Sequence, residues 1–85
     1  MSYRIVFTLR AAKQLAEVAP PLQKRIAARI DALAKEPRPR NAKKLTDSDG
    51  LYRIRVGDYR VTYQVADDIV LVTIIRIGHR REVYR

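Results

Sequence analysis

The chain has no cysteine, so neither a disulfide framework nor a thiolate metal site is open to it. One histidine and scattered carboxylates give no metal-ligand spacing, and no cofactor motif is present. The three glycines, Gly50, Gly57 and Gly78, stand apart from one another, which excludes a glycine-rich phosphate loop. Ser2 and Ser48, the only serines, fall at the terminus and in a turn, poor ground for a Ser-His-Asp triad. No apolar run approaches the roughly 20 residues of a membrane span. Arg4 and Arg10 interrupt the N-terminal apolar stretch, which argues against a secretory leader. These absences lead us to expect a cytoplasmic protein with no membrane association, folded as a single domain over residues 1–85. A chain this short buries only about 60–65% of its unfolded surface, so a tight partner would add appreciably to its stability.

What is abundant is positive charge. Lysine and arginine number 18 against 9 acidic residues, a net charge of +9, and 13 of the 18 are arginine. Lysine alone would serve solubility; arginine adds a planar fork that matches phosphate and base edges. Nucleic acid is the leading partner on this ground, with a merely basic, solvated surface as the plain alternative.

The pattern predicts an α+β fold: an N-terminal strand and a helical hairpin packed on a twisted, mainly antiparallel sheet of four or five strands. Residues 3–7 alternate and read as the first strand, with Tyr3, Ile5 and Phe7 inward. Thr8 is a fitting N-cap for a helix to about Val18 whose apolar stripe is Ala12, Leu15 and Ala19. Pro20 and Pro21 break that helix, and Pro21 suits the first turn of a second. Leu22, Ile26, Ile30 and Leu33 then form a stripe at helical spacing. Pro37 and Pro39 should end this helix near Lys35–Glu36. Residues 38–44 read as a basic, mobile connector carrying Arg38, Arg40, Lys43 and Lys44. A turn is expected at Asp47–Gly50, with hairpin turns at Gly57–Asp58 and Asp67–Asp68. The run Ile69–Ile77, apolar on both faces, marks a central strand.

Side chains alternate across a strand, so Arg53 and Arg55 share one face, and Arg60, Thr62 and Gln64 share one face of the next strand. With Tyr59, Val61, Tyr63 and Val65 turned to the helices, these polar side chains should line an open face. Solvent-facing arginines need no function, and Arg60 could instead stack on a tyrosine; their collection on one face favours a site. Arg76 either joins it or faces water. Tyr52, Tyr59 and Tyr63 read as core.

Guanidinium groups on a sheet can support RNA cleavage without metal. The ribose 2′-hydroxyl is the nucleophile, and the protein must align it, stabilise added negative charge and move protons. A preorganised donor to a developing oxyanion is worth about 3–4 kcal/mol. Proton transfer is harder, since tyrosine and arginine titrate far above neutrality. Tyr84 among guanidinium groups is a credible base. His79 has the convenient pKa but shares strand phase with Ile75, Ile77 and Val83, which points to packing and makes it a secondary candidate.

The segments Lys44-Leu45, Leu51-Tyr52-Arg53-Ile54-Arg55, Tyr59-Arg60-Val61-Thr62-Tyr63-Gln64-Val65 and Gly78-His79-Arg80-Arg81-Glu82-Val83-Tyr84 together resemble the RelE toxins of the RelE/ParE superfamily. The resemblance covers essentially the whole chain. It implies a toxin of a type II toxin–antitoxin pair that cleaves mRNA in the ribosomal A site, leaving a 2′,3′-cyclic phosphate and a 5′-hydroxyl. The partners it implies are a RelB-like antitoxin, the ribosome with its mRNA, and operator DNA reached through the antitoxin. Carried onto this chain, the catalytic set is Arg60 at the transition state, Arg80 at the leaving oxygen and Tyr84 as base or stacking group. Arg53 and Arg55 occupy two positions that are lysine in the family and hold the RNA backbone. Arginine there keeps the charge but makes deprotonation as a general base implausible. Lys43, Lys44 and Arg81 complete the RNA-binding set. Arg80 and Arg81 are adjacent, so on a strand they would point to opposite faces. A ParE-like inhibitor of DNA gyrase shares the fold without nuclease chemistry, and an inert co-repressor is a third reading.

Overall fold

A computed structural model describes residues 2–45 and 50–79. The elements follow in the order β1 (Arg4–Phe7), α1 (Leu9–Ala16), α2 (Pro20–Ala32), β2 (Lys43–Lys44), β3 (Leu51–Val56), β4 (Tyr59–Ala66) and β5 (Leu71–His79), with one 3-10 turn at Asp67–Ile69 before β5. The strands form one sheet in the order β1-β5-β4-β3-β2. β1 runs parallel to β5 and the other pairings are antiparallel, so the expected α+β architecture holds. Among the described residues no helix is long and apolar enough to cross a membrane.

Local chemistry accounts for the elements. The Thr8 hydroxyl accepts a hydrogen bond from the Ala11 amide, satisfying one orphan donor of α1. It also donates to the Ile75 carbonyl at 2.9 Å, tying the helix start to β5. Pro20 and Pro21 open α2, where missing N–H groups cost nothing. That helix ends at Ala32, three residues before the expected stop, and continues only as turn. Gly57 turns the β3–β4 hairpin at φ 59°. Gly50 has φ 71°, and a Cβ there would lie 2.7 Å from the Val65 carbonyl oxygen, so glycine is required.

The core lies between the helices and one sheet face. Ile26, Ile30 and Leu33 of the second stripe are buried against Ile54, Val56, Val61, Tyr63, Val65, Val72, Ile74 and Ile77, as the helical spacing predicts. The first helix differs from its expected stripe. Ala11 and Val18 are buried and Leu15 half-buried, whereas Ala12 and Ala19 are exposed, because the N-cap fixes a phase rotated by one residue. Phe7 shares the helix side with Ile74 but remains 39% exposed, since β1 is an edge strand.

Two further expectations are corrected. The basic connector is not a free loop: Lys43 and Lys44 form β2 against Arg53 and Tyr52, and Arg38 is pinned. The Asp67–Asp68 hairpin turn is a 3-10 turn closed by Val70 in the left-handed region at φ 52°. The turn expected at Asp47–Gly50 lies, apart from Gly50, outside the described residues.

Candidate functional site

Cross-strand partners share a face of the sheet. Arg55 is opposite Arg60, which is opposite Gly78. Lys43 is opposite Arg53, Arg53 opposite Thr62, and Thr62 opposite Arg76. The register therefore brings Lys43, Arg53, Arg55, Arg60, Thr62 and Arg76 to the face away from the helices. A depression of about 350 Å³ opens there, lined by Asn41, Lys43, Arg53, Ile54, Arg55 and Arg60. Arg55 donates its Nε to the Gly57 carbonyl at 3.0 Å, which orients the guanidinium along the hairpin.

The grouping of Arg53, Arg55 and Arg60 is as the alternation predicts. The exposure of Arg60 is not. It is 8% exposed rather than open to solvent. A guanidinium held in so dry a place acts more strongly on a bound anion than one in water. Gly78, directly across from it on β5, adds no side chain.

Lys44 does not join the set. It is opposite Tyr52, whose ring packs with that of Tyr63 at 5.9 Å, on the helix side. A two-residue strand places adjacent lysines on opposite faces, and missing this strand is what grouped them. His79 is also separated from Arg60. It is opposite Tyr59, meets its ring edge-on at 5.4 Å, and lines a small recess with Gln14, Glu17, Val18 and Ile77 beside α1. The register thus puts His79 in phase with Ile77 and away from the arginine face; Val83 lies outside the described residues. Arg80, Arg81 and Tyr84 lie outside the described residues.

Sequence reasoning missed Asn41 and the fixed position of β2. It also missed a corner built around Arg38 and Asp67. Arg38 grips Asp67 through both carboxylate oxygens, at 3.1 and 2.6 Å. Its Nε donates to the Tyr52 hydroxyl at 2.8 Å, and its guanidinium lies 5.3 Å from that ring's centre. Tyr3 donates to the same carboxylate at 2.6 Å. Arg38 first and the Tyr3 hydroxyl second hold the Asp67 carboxyl below its ordinary range. The same hydrogen bond raises the Tyr3 phenol. Tyr63, fully buried, donates to the Pro37 carbonyl at 2.8 Å. Burial first, and Tyr52 second, push its phenol up to about 12. The corner thereby fixes the segment that leads from Pro37 through Asn41 to Lys43. Among the described residues no group of three or more His, Cys, Asp or Glu side chains could hold a metal ion.

A small sheet with a helical hairpin on one face and a basic depression on the other describes a class of compact toxins, and comparison with known proteins places the chain within it. Residues 5–84 match the family described as "ParE toxin of type II toxin-antitoxin system, parDE". The chain belongs to this family of the RelE/ParE superfamily and is a RelE-type toxin. It is 31% identical to RelE1 of Methanocaldococcus jannaschii, over 100% of this chain and 98% of that protein. It superposes on the toxin of the RelBE2 toxin–antitoxin complex of Mycobacterium tuberculosis with a TM-score of 0.82 at 29% identity, covering 94% of this chain and 93% of the other. For the isolated E. coli RelE toxin the TM-score is 0.83 at 29% identity, with 98% and 92% covered.

Proposed function

We propose that this toxin is a ribosome-dependent endoribonuclease that cleaves mRNA in the A site with no metal cofactor. The observation that carries the reading is the convergence of Lys43, Arg53, Arg55 and Arg60 on one depression of the open sheet face. The 2′-oxygen attacks the adjacent phosphorus and the bond to the 5′-oxygen breaks, leaving a cyclic phosphate and a 5′-hydroxyl. Arg53 and Arg55, at the accessible wall, hold the RNA backbone. Arg60, on the dry floor, stabilises the charge that accumulates on the phosphoryl oxygens. Arginine cannot give up a proton near neutrality, so proton transfer falls to other groups. Tyr84 accepts the 2′-hydroxyl proton and Arg80 assists the departing 5′-oxygen, two roles that rest on the family resemblance; Arg81 adds its charge to RNA binding. Lys43 serves RNA affinity.

The partner that silences the toxin is a RelB-like antitoxin, as in the RelB–RelE complexes among the similar structures. The complex reaches operator DNA through the antitoxin, and all of this takes place in the cytoplasm, where ribosomes are. Gyrase inhibition of the ParE type is disfavoured, because similar curated proteins carry RelE and RelG names and a binder has no need of a buried cation in such a depression.

The test is to programme ribosomes with a defined mRNA, add purified toxin, and map the ends. A-site cuts bearing a cyclic phosphate are expected. Intact mRNA, with folded and antitoxin-free protein, would contradict the reading, and DNA supercoiling would then decide for gyrase.

A further inference from the structure

The proposed chemistry leaves Arg76, on the open face, unused. Arg76 ends a row that crosses four strands: Lys43 on β2, Arg53 on β3, Thr62 on β4 and Arg76 on β5 are successive cross-strand partners. Each of these side chains can donate hydrogen bonds, and the row contains no carboxylate. Arg76 is half-buried. Its Nε is shielded from solvent and has no hydrogen-bond acceptor among the described residues. The ion pair between described residues lies elsewhere, between Arg38 and Asp67.

A buried N–H without an acceptor is unfavourable, and a charged one more so. Proteins rarely keep such a group unless something external completes it. A phosphate diester completes it well, offering charge and several acceptor oxygens to the guanidinium fork. Thr62, half-buried between the two arginines, supplies a neutral donor in the middle of the row. The Arg55–Arg60 row runs beside it, one step along the hairpin. Two parallel rows of donors on one face can hold neighbouring phosphates of one RNA strand.

We propose that Arg76, with Arg53 and Thr62, forms a second phosphate subsite that takes a backbone phosphate flanking the scissile one. The inference rests on the reading of this face as an RNA site, but it concerns binding and not cleavage. It makes Arg76 a determinant of how the strand is laid across the sheet.

The experiment measures affinity for a short single-stranded RNA with 2′-O-methyl groups, which cannot be cut, as a function of salt. Each lost phosphate contact lowers the slope of log K against log salt by about 0.7 for a single strand. Arg76→Gln should lose about that much. Arg76→Lys should keep the slope, and Lys44→Ala, on the other face, should match the wild type. An unchanged slope for Arg76→Gln, an equal loss for Lys44→Ala, or absence of salt-dependent binding by the wild type would each overturn the subsite. Unmodified protein gives the same answer without a variant: a methylphosphonate at a phosphate flanking the scissile position should weaken binding, and equal affinity at every flanking position would overturn the proposal. Protein that cuts no mRNA but shows the Arg76 slope change keeps the subsite and refutes the nuclease; the reverse result does the opposite.

Discussion

Arg38 and Arg76 are the same side chain in opposite circumstances. Arg38 is 39% exposed on its side chain yet has an answer for its donors: a two-point grip on Asp67, the Tyr52 hydroxyl and an aromatic face. Arg76 is more shielded and carries a buried Nε with no acceptor among the described residues. Arg53 and Arg55 share the open sheet face with Arg76 and line a depression there with Lys43 and Arg60. An arginine's job is read from its acceptors, not from its exposure. Where the chain supplies the acceptors, arginine is a staple. Where it withholds them and gathers more cations, it prepares a place for an anion.

The largest effect is expected at the stapled corner. Tyr63 is fully buried beneath Tyr52 and bonded to Pro37. Tyr63→Ala should cost about 3–5 kcal/mol by the cavity it leaves, a large share of a small domain's stability. Urea unfolding would show it, and a midpoint close to the wild type would remove the corner from the structural account. Tyr63→Phe is milder. A phenol raised by folding contributes stability that is present below its unfolded pKa of about 10 and is lost as pH rises toward the folded value of about 12. Tyr63→Phe should therefore flatten the alkaline loss of stability, seen as melting temperature against pH.

Lys43 and Lys44 sharpen the contrast between faces. Lys43→Ala should lower the salt slope for single-stranded RNA by about 0.7, one phosphate contact, while Lys44→Ala leaves it unchanged. Equal slopes for the two variants would mean that charge, and not the face, governs binding. The smallest effect belongs to Asp67, because its ion pair is solvent-exposed. A carboxylate with a depressed folded pKa contributes stability above its unfolded pKa, lost as pH falls through the folded one. Asp67→Asn should slightly lower stability near neutrality and leave it unchanged below the depressed pKa. A wild type and variant equally separated at all pH values would contradict the assignment of that loss to the carboxylate charge.

Most of the frame was legible. Thr8, the proline pair, the Leu22–Leu33 stripe and the Gly57–Asp58 hairpin are local signals, and each is found where local chemistry puts it. The shared face of Arg53, Arg55 and Arg60 followed from alternation alone. Illegible features depend on distant partners. Asp67 looked like a turn residue because nothing near it in sequence reveals Arg38, 29 positions away. β2 is two residues long and defined wholly by its pairing with β3, so the split between Lys43 and Lys44 had no local trace. The irregularity in the β4–β5 ladder, where Ile75 falls between the partners of Thr62 and Tyr63, shifts phase in mid-strand. It explains why Arg76, three residues from Thr73, lies on the same face as that residue, a relation simple alternation denies.

In the proposed function Arg60, buried at the floor of this face, acts on the transition state. Single-turnover cleavage on programmed ribosomes, with toxin titrated to saturation, separates rate from affinity. Arg60→Ala that remains folded by its melting curve should lose about 10²–10³ in the maximal rate while half-saturation changes little. A maximal rate equal to the wild type, with the loss confined to half-saturation, would make Arg60 a binding residue and contradict the account.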